Sequence, residues 1–262
     1  MKLLVLFLSI LISLASASKY SKLLVTANLR NASSFVLDLQ KQIVCADFPD
    51  FPIRDVAGAS GGLLKQKYPF VCNGNGAEAI NQCFLYRNDQ WTSSLILPPQ
   101  DIFSRMVALN DTTVWITGGF GNSSLSILVN PMENRILYGP KLRRGVIDHC
   151  MVNIDGNKVF IISGDQHHHK DLRHTQVYKF SSNVWQDGPD LLQTALVPAC
   201  ALVTLSSGKR IIVVADDLTT QYLELGAGTG WRYGPPIPYY IPQPTMVPID
   251  DNGSALLFGF GT

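Results

Sequence analysis

A nine-residue phrase returns along the chain and constrains its folding more than any other feature. Asn183-Val-Trp-Gln-Asp-Gly-Pro-Asp-Leu191 comes back as Asn134-Arg-Ile-Leu-Tyr-Gly-Pro-Lys-Leu142 and as Thr229-Gly-Trp-Arg-Tyr-Gly-Pro-Pro-Ile237, with a fainter copy at Ile43–Phe51. Measured at the tryptophan position, the copies stand at Cys45, Trp91, Ile136, Trp185 and Trp231, in steps of 46, 45, 49 and 46 residues. The ends of the apolar runs, at Ala27, Gly74, Gly119, Gly164, Asp216 and Phe260, are an independent ruler with steps of 47, 45, 45, 52 and 44. Within one period, period-2 alternation is broken by Gly, Asn, Asp, Ser and Pro, which predicts short antiparallel strands joined by turns. A unit of this length with four short strands is the signature of a β-propeller blade.

The order of residues inside the unit resembles the kelch repeat: an apolar run, a double glycine, a strand carrying an aromatic, then Trp and Pro. Val114-Trp-Ile-Thr-Gly-Gly119 with Tyr178, Trp185 and Pro189 match best, while Cys45 and Ile136 replace tryptophan. The resemblance implies an all-β, kelch-type β-propeller of four-stranded blades that binds its partner through loops on one face. With strands labelled a to d, the chain enters at a strand b near Lys22–Ala27 and leaves after an a and a b. The expected architecture is therefore about five to six blades, incompletely closed, with c and d of the last blade and a of the first missing.

Leu3–Leu14 is apolar, follows Lys2 and precedes Ala15-Ser16-Ala17, the pattern of an export leader too short to span a bilayer comfortably. Residues 1–17 are read as a signal peptide and 18–262 as one propeller domain, giving a secreted, extracellular protein with no membrane span. Without Lys2, 20 basic residues face 20 acidic ones, so no electrostatic footprint for nucleic acid is expected. Asn31, Asn110, Asn122 and Asn252 begin Asn-x-Ser/Thr sequons in predicted loops and are candidate glycosylation sites.

Five cysteines in an oxidising compartment leave one over. Cys72 ends one predicted strand and Cys83 opens the next, so a hairpin brings them within disulfide reach. Cys150 and Cys200 occupy matching places in successive repeats and are read as buried thiols.

Antiparallel strands put the d–a and b–c loops on one face and the a–b and c–d turns on the other. The first face collects Arg54, Arg105, Arg143 and Arg144 with His167, His169 and His174, a set suited to a protein or acidic glycan ligand bearing carboxylate or sulfate groups. Adjacent histidines in one loop cannot all address one ion, so no metal site is assigned. No catalytic residue and no cofactor are assigned either, since no nucleophile elbow, zinc helix or phosphate loop occurs.

An alternative is a divergent or truncated carbohydrate-active oxidase of the galactose-oxidase type, whose copper centre uses tyrosines and histidines. The histidines here are confined to His149 and the 167–174 loop. The leader reading predicts that exported protein starts at Ser18 and loses mass on enzymatic deglycosylation. N-terminal sequencing and intact-mass spectrometry check both.

Overall fold

A computed structural model of the chain describes residues 10–11, 22–26, 34–38, 43–45, 48–53, 58–65, 67–72, 81–98, 103–165, 172–215, 217–228, 230–241, 243–248 and 253–258. The described residues are all-β and contain no helix. The strands are β1 (Ile10–Leu11), β2 (Lys22–Thr26), β3 (Ser34–Asp38), β4 (Ile43–Cys45), β5 (Ser60–Leu64), β6 (Tyr68–Cys72), β7 (Gln82–Arg87), β8 (Gln90–Ile96), β9 (Arg105–Ala108), β10 (Val114–Thr117) and β11 (Ser126–Asn130). They continue as β12 (Arg135–Tyr138), β13 (Cys150–Ile154), β14 (Lys158–Ile162), β15 (Thr175–Lys179), β16 (Val184–Asp187), β17 (Ala199–Leu205), β18 (Gly208–Val214), β19 (Thr220–Glu224), β20 (Arg232–Tyr233), β21 (Thr245–Pro248) and β22 (Ala255–Phe258).

Consecutive strands pair antiparallel, so each repeat closes on itself as a meander. β5–β8, β9–β12, β13–β16 and β17–β20 are four such four-stranded blades of a β-propeller. β1–β4 form a further four-stranded sheet, and β21–β22 a two-stranded one. The first strands of successive sheets pack side by side from β5 through β9, β13 and β17 to β21, and β1 touches both β21 and β5. The gap expected from the sequence is therefore placed differently. Ile10–Leu11, inside the segment read as a leader, occupy the first-strand position of the first sheet, and the last sheet, among the described residues, consists of β21 and β22.

The repeated phrase acquires a physical meaning here. The Trp185 indole N–H donates to the carbonyl of Pro140 at 3.0 Å, Trp231 to that of Pro189 at 2.8 Å, and Trp91 to that of Pro49 at 3.3 Å. Each tryptophan lies on the fourth strand of one sheet, or just before it, and each proline follows the fourth strand of the preceding sheet. The bond thus latches neighbours together while satisfying a half-buried donor. Ile136 replaces tryptophan on β12 and packs into the interface with the preceding blade, with no indole to donate. Trp115 of β10 serves the following interface instead, donating to Ser126 Oγ at 2.6 Å and meeting Tyr178 edge-on and Trp185 at a tilt, at 4.8 and 5.4 Å between ring centres.

The core runs between blades. Phe70, Leu85, Val114, Ile116 and Ile127 fill one interface, and Phe160, Ile162, Val177, Ile211 and Val213 another. Near the inner ends of the first strands, Gly58, Phe103 and Asp148 all have positive φ (71°, 67° and 51°). The amide of Phe103 donates to the carbonyl of Gly58 and that of Asp148 to the carbonyl of Phe103, both at 3.1 Å, so this backbone chain also passes from blade to blade. Gly118, at φ 66°, leaves no room for a side chain: a Cβ there would lie 2.3 Å from the Val146 carbonyl oxygen.

Two disulfides are present. Cys72–Cys83 joins directly opposed residues of β6 and β7, as the spacing predicts. Cys150 and Cys200 are also bonded and are not free thiols. Matching positions of adjacent first strands lie side by side, with these two Cα atoms 5.9 Å apart, which is within disulfide reach. Replacing both by serine opens a crosslink between residues 50 apart in sequence and is expected to cost roughly 4 kcal/mol on the loop-entropy scale. Trp185→Phe keeps an aromatic ring but strands the Pro140 carbonyl, for an expected loss of about 1–2 kcal/mol. Urea denaturation of each variant measures both losses.

Candidate functional site

The d–a and b–c loops share a face, and a glutamine positions two of its exposed cations. Gln176 of β15 donates its side-chain amide to the Arg144 carbonyl at 2.9 Å and accepts the Arg144 amide at 3.0 Å. Gln221 of β19 grips the next d–a segment in the same way, accepting from Leu192 at 2.7 Å and donating to the Gln193 carbonyl at 3.1 Å. One side-chain amide supplies both donor and acceptor, so a single buried glutamine satisfies both backbone groups of Arg144, or one group each of Leu192 and Gln193. Arg143 and Arg144 therefore project from a backbone held in place.

Their charges are not equivalent. Arg143 lies 3.4 Å from Asp187 on β16, with both side chains about half exposed. Arg144 is exposed, and its guanidinium has no hydrogen-bond or ion-pair partner among the described residues. Beneath them His174 is buried (4 % exposed), between Asp187 at 3.4 Å and Asp190 at 3.5 Å. Burial is the largest influence on its ring and pushes the pKa down from 6.5, the Arg144 charge adds to this, and the two carboxylates oppose it.

Arg105, at the start of β9, pairs with Asp148 at 2.7 Å in a half-buried bridge. Burial raises the Asp148 carboxyl above its ordinary range, Arg105 pulls it back, and Asp165 raises it further. His149, fully buried, meets the Thr117 hydroxyl through Nε2 at 2.8 Å and leaves Nδ1 without a partner. Its pKa is held well below 6.5, first by burial and then by Arg105.

Of the residues singled out from sequence, Arg143, Arg144 and His174 come together, and Arg105 sits in a separate pair with Asp148. Arg54, His167 and His169 lie outside the described residues, as do Asn31 and Asn252. Asn122 is exposed in a b–c loop, on the face of Arg144. Asn110 is exposed in an a–b turn on the opposite face, its side-chain oxygen accepting the amides of Thr112 and Thr113 at 2.9 Å. Among the described residues, Asp148 offsets the charge of Arg105 and Asp187 that of Arg143. Sequence reading missed Gln176 and Gln221, although the repeated Thr175-Gln176 and Thr220-Gln221 at the start of a third strand were a visible signal. Among the described residues no three His, Cys, Asp or Glu side chains are grouped to hold a metal.

The folded state prefers both buried histidines neutral, so the unfolded chain takes up their protons first as pH falls. Their contribution to stability is full above about 6.5 and declines below it. Asp148 acts in a lower window with the opposite sign, its contribution falling as pH rises above 3.8. Denaturation midpoints at pH 7.5 and 5.5 are expected to show a less stable protein at the lower value, and His149→Gln to remove a large part of that difference.

No protein-family model matches the chain, and no curated protein sequence matches it. Among solved structures it is similar to the one described as the structure of YjhT, with a TM-score of 0.78 over 98 % of this chain and 91 % of that one, at 13 % identity. That likeness is one of fold.

Proposed function

We propose that this is an exported, kelch-type propeller acting as a binding module whose d–a and b–c loop face takes an acidic group of a protein or glycan. The observation that carries the reading is Arg144. It is an exposed guanidinium with no partner among the described residues, on a backbone fixed at both its amide and its carbonyl by Gln176. A cation whose backbone is already ordered gives up less conformational freedom on binding than one on a loose loop, and a guanidinium suits two-pronged contact with carboxylate or sulfate.

Two disulfides are compatible with an extracellular location, and no helix among the described residues is long and apolar enough to cross a membrane. Arg143 contributes less than Arg144 in this reading, because Asp187 offsets its charge. The neighbouring sequon at Asn122 puts a potential glycan beside the same loops.

Arg144→Glu is expected to lower affinity for a sulfated glycan or acidic peptide probe at least tenfold. Arg135→Glu, exposed at the start of β12 on the other face, is expected to change it less than twofold. Binding measured by calorimetry should also weaken as salt rises, since surface charge is screened over roughly 8–10 Å near physiological ionic strength. Equal effects of the two reversals would refute the assignment of the face.

A further inference from the structure

His174 stands beneath the loop face with a carboxylate facing each of its ring nitrogens. It ends the b–c loop ahead of β15 and is buried, with Nε2 3.4 Å from Asp187 Oδ1 and Nδ1 3.5 Å from Asp190 Oδ1. A neutral imidazole carries one N–H, so one of the two nitrogens must turn a lone pair toward a carboxylate. Nε2 is buried and makes no hydrogen bond among the described residues. Only the imidazolium can donate to both carboxylates.

Two influences oppose that charged form. Burial is the larger, and the other is the Arg144 guanidinium on the d–a segment of the preceding blade. From β16 and the segment after it, Asp187 and Asp190 favour the proton. Arg143, beside Arg144, meets Asp187 Oδ2 at 3.4 Å, so the two oxygens of that carboxylate face two different basic groups. β14 contributes the uncharged Ser163, whose amide donates to the His174 carbonyl, and Arg173 precedes the histidine in its own loop. Residues 166–171 of that loop lie outside the described residues.

His174⁺ and Arg144 are thus competing cations in one small cluster. An anion that pairs with Arg144 cancels the charge that repels the proton and leaves Asp187 and Asp190 to attract it. Coupling of this kind is reciprocal, so the proton favours the anion by the same factor as the anion favours the proton.

We propose that the loop face takes its acidic ligand together with a proton, which settles on His174 between Asp187 and Asp190. This rests on Arg144 being the ligand's contact. Protonation also gives Asp187 a second cation, Oδ1 on His174 and Oδ2 on Arg143. The carboxylate then offsets Arg143 less, and a second guanidinium becomes available to the ligand. The free protein keeps His174 neutral near pH 7, so the gain in affinity develops as pH falls below 6.5.

A sulfated glycan is the suitable probe, because sulfate keeps its charge between pH 7.5 and 5.5. The wild-type protein is expected to bind it about three- to tenfold more tightly at pH 5.5, and His174→Gln to bind it equally, within about twofold, at the two values. In the wild-type protein the His174 ring titration, followed by NMR, is expected to move up by about half a unit to one unit when the probe saturates the face. That second measurement needs no variant and decides the matter even where His174→Gln folds poorly. The coupling is overturned if binding depends on Arg144 yet is the same at both pH values, if the pH dependence survives in His174→Gln, or if the His174 midpoint does not rise with the probe. Binding that ignores Arg144→Glu at both pH values removes the acidic-ligand reading itself, and this inference with it.

Discussion

An antiparallel blade satisfies its own backbone but has two apolar faces to bury, and it can bury them only against other blades. The indole N–H that crosses from one sheet to the proline carbonyl of the preceding one determines how they meet. Trp91, Trp185 and Trp231 each present a flat apolar ring and one donor, and each donor has a single acceptor at Pro49, Pro140 or Pro189. Apolar packing alone tolerates sliding, whereas a directional bond from a half-buried group does not, because losing it leaves a carbonyl unsatisfied. The Gly-Pro of the repeated phrase is the receiving end of this bond.

The glutamine grips extend the same logic from sheets to loops. With the proline carbonyl held by tryptophan at one point and the backbone held by Gln176 or Gln221 a few residues later, a d–a segment is fixed at two places. Charges carried on such a segment have defined positions relative to the next blade. This is why Arg143 finds Asp187 and why His174 lies buried under both, while Arg144 is left facing solvent. A loop face assembled this way is a rigid surface carrying a small number of unpaired groups, which suits recognition by a module whose scaffold does not rearrange.

Other contacts between blades do not follow the repeated phrase. In the blade that has Ile136 in place of tryptophan, Trp115 of the second strand meets Tyr178 edge-on and Trp185 at a tilt across the following interface. Adjacent first strands β13 and β17 are tied covalently by Cys150–Cys200, and the positive-φ residues Phe103 and Asp148 pass a backbone hydrogen bond along the inner ring. Backbone in that conformation is costly for a residue as large as phenylalanine. It is held here by neighbours on both sides.

The period of the chain, its turn residues and its alternation determined by themselves that it is an all-β propeller of four-stranded units. They also located the Cys72–Cys83 hairpin bridge, because strand patterning and hairpin pairing are local and leave their mark within about ten residues. What depended on proximity across about forty-five residues of chain was decided only by tertiary structure. The pairing of Cys150 with Cys200, the proline acceptors of the tryptophans, the grips of Gln176 and Gln221, and the neutralisation of Arg105 and Arg143 by Asp148 and Asp187 all join one repeat to the next or a strand to a distant loop. A repeat announces that matching positions recur, but which of them touch depends on how the sheets are stacked around the ring, and that is a property of the packed whole.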